Sequence, residues 1–183
     1  MSDKDTLRES ILEAVSRVVA RDGMSRTTVE AIAAEAGMSK GGVLHHFPNK
    51  KNMLMAMIDL YEIRFRERRG RILETLPDTP HRQLKATVML MLADMDNHPE
   101  EVPNLASVLD DEEFCRRVGE MKQRTFREVI AGVPDPEKVA LVMYTVDGIW
   151  MDIRFSPPVI PSTQRKTAIA TLLGFIDSLD ATT

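Results

Sequence analysis

The chain of 183 residues lacks the features that mark secreted and membrane proteins. Its only cysteine is Cys115, so an intramolecular disulfide is excluded and a reducing compartment is favoured. No apolar run approaches the length of a membrane span, and the polar, charged first nine residues do not resemble a signal peptide. We therefore expect a cytoplasmic protein that is not bound to a membrane.

An excess of positive charge is also missing. The chain has 24 Lys and Arg against 28 Asp and Glu, which gives a net charge of −4. Because cations that neutralise phosphates supply much of the affinity for DNA, any DNA binding must rely on a few well-placed cations. Residues 1–52 carry eight cations and seven acids, so this segment has a net charge of +1 and the remainder −5.

Signatures of common enzyme chemistry are absent from the sequence. There is no P-loop and no dinucleotide-binding glycine pattern. Cys115 lies in a helical pattern without a patterned histidine beside it, which favours a packing role over a catalytic thiol. The acidic run at residues 110–113 is typical of a helix N-terminus and is a weaker indication of a metal site. We expect no enzymatic activity, no cofactor and no metal.

What the chain does contain is a pattern of two short helices between residues 28 and 48. The first helix is predicted by an apolar stripe at i, i+3, i+4 and i+7. This stripe is formed by Val29, Ile32, Ala33 and Ala36. Thr28 is the expected N-cap, with Thr27 as the alternative. Gly37 ends this helix, because glycine reaches the left-handed conformation without a Cβ clash.

A second short helix is predicted from Ser39, its expected N-cap, to the residues before Pro48. Its apolar side chains Val43 and Phe47 lie four residues apart and are expected to face inward. Each glycine of the Gly41-Gly42 pair costs a helix roughly 1 kcal/mol relative to alanine, and a close backbone approach to DNA would compensate. The alternative is that the pair marks a loop. Together the two helices predict a helix-turn-helix that enters DNA.

The segment TTVEAIAAEAGMSKGGVLHHFPNKKNML resembles the N-terminal domain of the tetracycline-repressor (TetR-type) family of bacterial regulators, and the match runs from about Leu7 to Leu54. The resemblance implies a helix-turn-helix DNA-binding domain at residues 1–50. Residues 51–183 would form a helical effector-binding and dimerisation domain. A homodimeric transcriptional regulator follows, most often a repressor that a small molecule releases from a palindromic operator. The alternative is a ligand-binding or protein-interaction module with weak or lost operator binding.

The predicted DNA-binding residues have two roles. The family pattern implies that His46 and Lys50 clamp the DNA backbone, and the helix start at Ser39 and Lys40 favours a phosphate. The candidates for base edges are Gly41, Gly42, Leu44 and His45. Thr27 and Thr28 complete the set. The usual Thr-Leu-Tyr of the family is here Gly42-Val43-Leu44, and His46 replaces a frequent tyrosine. A metal site at the two histidines is not expected, because adjacent helical side chains point about 100° apart.

Helical periodicity and the spacing of prolines predict an all-α fold of about nine helices. Besides the two short helices, we expect helices at about 5–21, from residue 50 past 72, and at 81–97, 103–109, 111–131, 136–154 and 162–179. The long fourth helix would leave the DNA-binding domain and enter the second domain.

Twelve methionines, most of them in these later helices, fit either plain core filling or an adaptable apolar effector pocket. Because TetR-type proteins generally respond to ligands, we expect an apolar or amphipathic effector and a lining formed by Tyr61, Met91, Met95, Met121, Tyr144, Asp147 and Trp150. The family pairs its last two helices across a two-fold axis. The implied dimer interface therefore comprises Val142, Val146, Ile169, Leu172, Leu173 and Ile176.

Overall fold

The structure, a computed structural model, describes residues 3–97, 112–153 and 158–181. These residues form eight α-helices and no strand, and the helices are α1 (Asp3–Asp22), α2 (Val29–Glu35), α3 (Lys40–His46), α4 (Lys50–Thr75), α5 (Arg82–Asn97), α6 (Glu112–Ile130), α7 (Pro136–Asp152) and α8 (Ser162–Ala181). The all-α prediction is confirmed. The helix predicted at 103–109 lies outside the described residues. Within the described ranges, no helix has the combined length and apolar content that crossing a bilayer requires.

The chain divides into two compact units. Unit 1 comprises residues 1–66 and 97–122, and unit 2 comprises residues 67–96 and 123–183. Unit 1 extends past the predicted domain boundary at residue 50, because Phe114 and Val118 of α6 are buried in the same core as α1 to α4. The boundary between the two units falls inside α4. The functional division at residue 50 stays a prediction.

The core of unit 1 holds the helix-turn-helix in place. Ile11 and Val15 of α1, Ile32 of α2 and Val43 of α3 are all fully buried, and Phe47 is 2% exposed. Burying a side chain of this size contributes about 1.5–3 kcal/mol. An isolated helix of seven residues is unstable in water, so α3 depends on this packing for its existence.

The inner faces of α7 and α8 fill the chain's own core. Val142, Val146 and Ile176 are fully buried and Leu172 is 8% exposed, although all four were predicted to form the dimer interface. For Val142, Val146 and Ile176 that prediction is corrected, because these side chains are not accessible to a partner, whereas the assignment of Leu172 stays a prediction. Both helices have broad apolar faces, and the inner stripe of each is used for folding. Ile169 and Leu173, the other two predicted interface residues, are half-buried.

His81, just before α5 in unit 2, is fully buried between two carboxylates. Its Nδ1 lies 2.9 Å from Oδ1 of Asp180, and its Nε2 lies 2.8 Å from Oδ1 of Asp135. The cluster therefore joins the start of α5 to the N-cap of α7 and to the last turn of α8.

The hydrogen bonds of this cluster favour the ionised carboxylates. Bonds from Lys138 and His81 hold the pKa of Asp135 below its ordinary value. Burial alone would raise the pKa of Asp180, but hydrogen bonds from Thr79 and His81 outweigh it and lower that pKa. Because both folded-state pKa values lie below the unfolded ones, the stabilisation is present above about pH 4 and is lost as the pH falls through the folded pKa.

We expect Asp180→Asn to lower the free energy of unfolding at neutral pH and to reduce its decline on acidification, because one of the titrating carboxyls is gone. Urea unfolding between neutral and acid pH measures both effects. Asp78→Asn is the control, since the Asp78 side chain is 95% exposed and pairs only at the surface with Arg82. If the pH profile of Asp180→Asn runs parallel to that of the unmodified chain, the cluster does not contribute in this way.

Candidate nucleic-acid interface

Helix α2 begins and ends as its sequence predicts. The hydroxyl of Thr28 accepts a hydrogen bond from the amide of Ala31 at 3.1 Å, which confirms Thr28 as the N-cap. Gly37 has φ +66, and the amides of Gly37 and Met38 donate to the carbonyls of Ala34 and Ala33 at 3.2 and 2.8 Å. This pair of bonds is a Schellman motif, which only a left-handed residue at its turn allows. The turn between α2 and α3 is thus fixed by local chemistry.

Helix α3 forms despite its two glycines. Ser39 is the N-cap, and its Oγ accepts from the amide of Gly42 at 3.0 Å. The helix ends at His46, and Phe47 takes an extended conformation before Pro48. The alternative that the glycine pair marks a loop is therefore wrong.

Arg8 of α1 fastens the end of α3. Its Nη1 donates to the backbone carbonyl of His46 at 2.8 Å, and its guanidinium lies 4.3 Å from the centre of the Phe47 ring. The bond satisfies one of the last carbonyls of the helix, which have no partner inside the helix itself. The ring contact adds cation–π attraction. Sequence reasoning missed Arg8, because nothing local signals a bond across 38 residues.

The start of α4 is fixed by Asn49 and Lys50. The side-chain oxygen of Asn49 accepts from the amide of Asn52 at 2.9 Å, so Asn49 caps the helix, as its residue type just before the helix could have indicated. Lys50 Nζ donates to the carbonyl of Met24 at 2.7 Å, in the turn between α1 and α2. This bond holds the ammonium in place, and because the carbonyl is uncharged, it leaves the positive charge intact.

Ion pairs surround the helix-turn-helix. Glu35 of α2 accepts from Arg17 Nε at 2.7 Å and from Arg21 Nη1 at 2.9 Å, which joins α2 to α1. These bonds, first that from Arg17 and then that from Arg21, lower the pKa of Glu35. Lys40 Nζ lies 2.6 Å from Oε1 of Glu30. Several of the cations in this segment are thus already paired with acids in the free protein.

The structure places most of the predicted DNA-binding residues at the surface. Exposed members are Thr28, Ser39, Lys40, Gly41 and His45, and half-buried members are Gly42, Leu44, His46 and Lys50. Leu44 also packs against the core of unit 1. Thr27 is 2% exposed and its hydroxyl donates to the carbonyl of Gly23 at 2.9 Å, so Thr27 is removed from the set.

The two glycines of α3 differ in the space around them. A Cβ at Gly41 would meet no atom within 4 Å, so nothing inside the protein explains the absence of a side chain. A Cβ at Gly42 would lie 3.3 Å from Cε of Met38 and from Oγ of Ser39, the capping atom. Gly42 therefore has a local packing reason, and Gly41 has none within the protein.

The predicted effector residues lie in different parts of the chain. Tyr61 and Met121 belong to unit 1, and Met91, Met95, Tyr144, Asp147 and Trp150 belong to unit 2. Met95 and Trp150 are both 8% exposed. Tyr144 is 77% exposed, so its assignment to a pocket lining is corrected: it lies on the outer face of α7. The other six stay a prediction. Among the described residues, no group of histidine, cysteine and acidic side chains is arranged to hold a metal ion.

Comparison with protein families identifies the fold. Residues 11–57 match the bacterial regulatory proteins of the tetR family, and residues 81–177 match the tetracyclin repressor-like C-terminal domain. The chain belongs to the TetR family. The resemblance found in the sequence between Leu7 and Leu54 is confirmed, and the second match extends the assignment over most of unit 2.

Individual relatives are similar to this chain in sequence or in fold. The nucleoid occlusion factor SlmA of Vibrio vulnificus (strain YJ016) is 28% identical over 127 residues, which cover 67% of this chain and 64% of the relative. This chain thus spans less than two thirds of the length of that curated relative. A transcriptional regulator from Rhodococcus sp. Rha1 superposes with a TM-score of 0.71 at 24% identity, covering 92% of this chain and 95% of the other. A regulator from Saccharomonospora viridis in complex with choline has a TM-score of 0.75 at 19% identity, covering 94% and 96%.

We expect Gly41→Ala to stabilise the free protein and to weaken its binding to DNA. Alanine gains about 0.5–1 kcal/mol over glycine inside a helix, and the protein has room for the methyl group. A DNA backbone or base edge close to Gly41 would not have that room, so affinity should fall by roughly tenfold, the scale of one lost contact. Chemical denaturation and binding titrations measure the two effects.

The matched control for this substitution is Gly119→Ala. Gly119 lies inside α6, and a Cβ there also meets no atom within 4 Å. It should stabilise the protein to a similar degree and leave DNA affinity unchanged. If Gly41→Ala raises stability and DNA affinity stays the same, the backbone of α3 does not approach DNA at this residue.

Proposed function

We propose that this protein is a DNA-binding transcriptional regulator, a repressor that binds a palindromic operator as a homodimer in the cytoplasm. The observation that carries the proposal is the exposed surface of α3. This short helix is held at its start by the Ser39 cap and at its end by the bond from Arg8. Gly41 and His45 are exposed on it, and Gly41 has no side chain that would block the approach of DNA. Such a helix fits the major groove, where base edges are read. Membership in the TetR family supports the same assignment.

The proposed contacts divide into positioning and reading. Lys50 donates one hydrogen bond to the carbonyl of Met24, and its ammonium retains two further N–H groups for a phosphate oxygen. Ser39, Lys40 and His46 would position the backbone with it. Gly41, Gly42, Leu44 and His45 would then meet base edges, with Leu44 against a thymine methyl and His45 bonded to a purine.

We expect Lys50→Ala to weaken binding to every DNA sequence and to reduce the salt dependence by about one unit of slope, because one phosphate contact is lost. Binding to a duplex selected from a random pool, titrated at several salt concentrations, measures both. Lys51→Ala is the control: it removes the same charge from the next residue, where Lys51 pairs with Glu113. Equal slopes for the two variants would contradict the role given to Lys50.

The selection of DNA duplexes from a random pool also tests the proposed operator binding. The unmodified chain should enrich a palindromic sequence, and His45→Ala should enrich a different one, because the lost side chain reads a base. The rival function is a ligand-binding or protein-interaction module with weak or lost operator binding. Two observations favour this rival: Lys40 is paired with Glu30, and Leu44 packs against the core of unit 1. Failure of the unmodified chain to enrich any sequence would decide for that rival.

The outer faces of α7 and α8 offer a dimer surface. Leu141 and Tyr144 are 60% and 77% exposed on α7, and Phe175 of α8 is 36% exposed. A shallow groove between the two helices is lined by Thr145, Thr163, Gln164, Thr167, Ala168, Thr171, Leu172 and Phe175. We propose that this outer face, which replaces the interface predicted from sequence, pairs with its copy. Two linked helix-turn-helix units would then read two half-sites.

We expect Tyr144→Glu to give monomers at protein concentrations where the unmodified chain is a dimer, because the interface would bury an unpaired charge. Sedimentation velocity measures the change. The matched control is Ile63→Glu, since Ile63 is a similarly exposed apolar residue, 53% accessible, on α4 of unit 1. An intact dimer in the Tyr144 variant would move the interface elsewhere.

Release by an effector completes the proposed function. Helix α4 runs without interruption from Lys50, the proposed phosphate contact, through Tyr61, a predicted effector residue. An apolar or amphipathic small molecule that prefers one position of this helix would change the placement of Lys50. Shifting such an equilibrium from 1:99 to 99:1 requires about 5.5 kcal/mol of differential affinity. Burial of apolar ligand surface is the source we propose for that energy.

A further inference from the structure

One ion pair in unit 1 lies on the exposed side of the helix-turn-helix. Glu30 is in the first turn of α2 and Lys40 is the first residue of α3, and their charged atoms are 2.6 Å apart. The two side chains are 63% and 57% exposed. Exposed pairs of this kind contribute little to stability. The Glu30–Lys40 pair is relevant to the proposed contact with DNA because Lys40 stands at the start of α3.

The two lysines proposed to contact phosphate differ in the charge of their partners. Lys50 donates to the uncharged carbonyl of Met24, so its positive charge remains available to DNA. Lys40 donates to a carboxylate, so its charge is paired with an opposite charge in the free protein. A phosphate that binds Lys40 competes with Glu30 for the same positive charge, and it brings a second anion close to the carboxylate.

Glu30 stays ionised under the conditions in which DNA is bound. The hydrogen bond from Lys40, followed by one from its own backbone amide, holds the pKa of Glu30 below its ordinary value. Its role also differs from that of Glu35, which joins α2 to α1 through Arg17 and Arg21 and is only 23% exposed. Neutralising Glu30 therefore removes one exposed ion pair between α2 and α3 and leaves the two bonds of Glu35 to α1 in place.

We propose that Glu30 attenuates DNA binding by holding the ammonium of Lys40 in competition with the DNA backbone, an inference that rests on the proposed function. Because the competition concerns phosphate, it lowers the affinity for every sequence by the same factor. The ratio between operator and random DNA is unchanged, and the absolute occupancy of random DNA falls. The net charge of residues 1–52, which contain the helix-turn-helix, is only +1, and such a low charge is consistent with attenuated DNA binding.

The experiment compares Glu30→Gln with Glu13→Gln in the full-length chain. Glu13 pairs with Arg64 between α1 and α4 at 2.7 Å, and both residues are half-buried. Its substitution makes the same charge change outside the helix-turn-helix. Affinity is measured for a selected duplex and for a random-sequence duplex of equal length, at several salt concentrations. Glu30→Gln should tighten both complexes by roughly two- to fivefold and steepen the salt slope by about one unit. Glu13→Gln should do neither.

A double-mutant cycle with Lys40→Ala identifies the cause. In the Lys40→Ala background, Glu30→Gln should produce no further gain, because the lysine that it frees is absent. A gain that persists there would show direct repulsion between Glu30 and DNA and would overturn the proposal. Equal gains from Glu30→Gln and Glu13→Gln would reduce the effect to net charge and overturn it as well.

The same measurements separate this inference from the proposed function. If the unmodified chain and every variant fail to bind either duplex at low salt, the DNA-binding function itself is wrong and the inference falls with it. If selective binding is present and Glu30→Gln leaves both affinities unchanged, only the attenuation is wrong. Thermal unfolding of each variant verifies that the fold is intact, which the exposure of both side chains leads us to expect.

Discussion

The constraint on which the rest of unit 1 depends is the weakness of α3. A helix of seven residues with two adjacent glycines has too few internal hydrogen bonds to form alone. Three kinds of support replace what it lacks: the cap from Ser39 at its start, the bond from Arg8 at its end, and the burial of Val43 and Phe47 beneath it. The exposed residues Gly41 and His45 are thereby not needed to hold the helix in place, and they can be chosen for recognition.

The features that could be predicted from sequence are those determined locally. Thr28, Gly37 and Ser39 act on amides or dihedral angles within three residues of themselves, so their roles follow from residue type and position. The bounds of the long helices followed from periodicity in the same way. Contacts across the chain, such as that of Arg8 with the carbonyl of His46, leave no mark on local pattern and appeared only in the structure.

The outer face of α7 shows a different limit of sequence reasoning. Both sides of this helix carry large apolar residues, with Val142 and Val146 on one and Leu141 and Tyr144 on the other. Periodicity reports that apolar stripes exist, and it does not say which stripe fills the core and which remains exposed. The sequence therefore predicted apolar faces on these helices and assigned Val142 and Val146, which fill the core, to an interface. Residue exposure in the folded chain resolves the choice.

The cluster around His81 has a consequence for the order in which the chain acquires its structure during synthesis. His81 and Asp180 are 99 residues apart, and their bond cannot form until the last turn of α8 has left the ribosome. The helix-turn-helix, in contrast, is assembled from contacts among neighbouring helices near the N-terminus. Nascent chains would therefore carry a folded helix-turn-helix before the folding of unit 2 is complete. A newly made molecule matures from its N-terminal end, with the side chain of His81 as one of the last groups to find its partners.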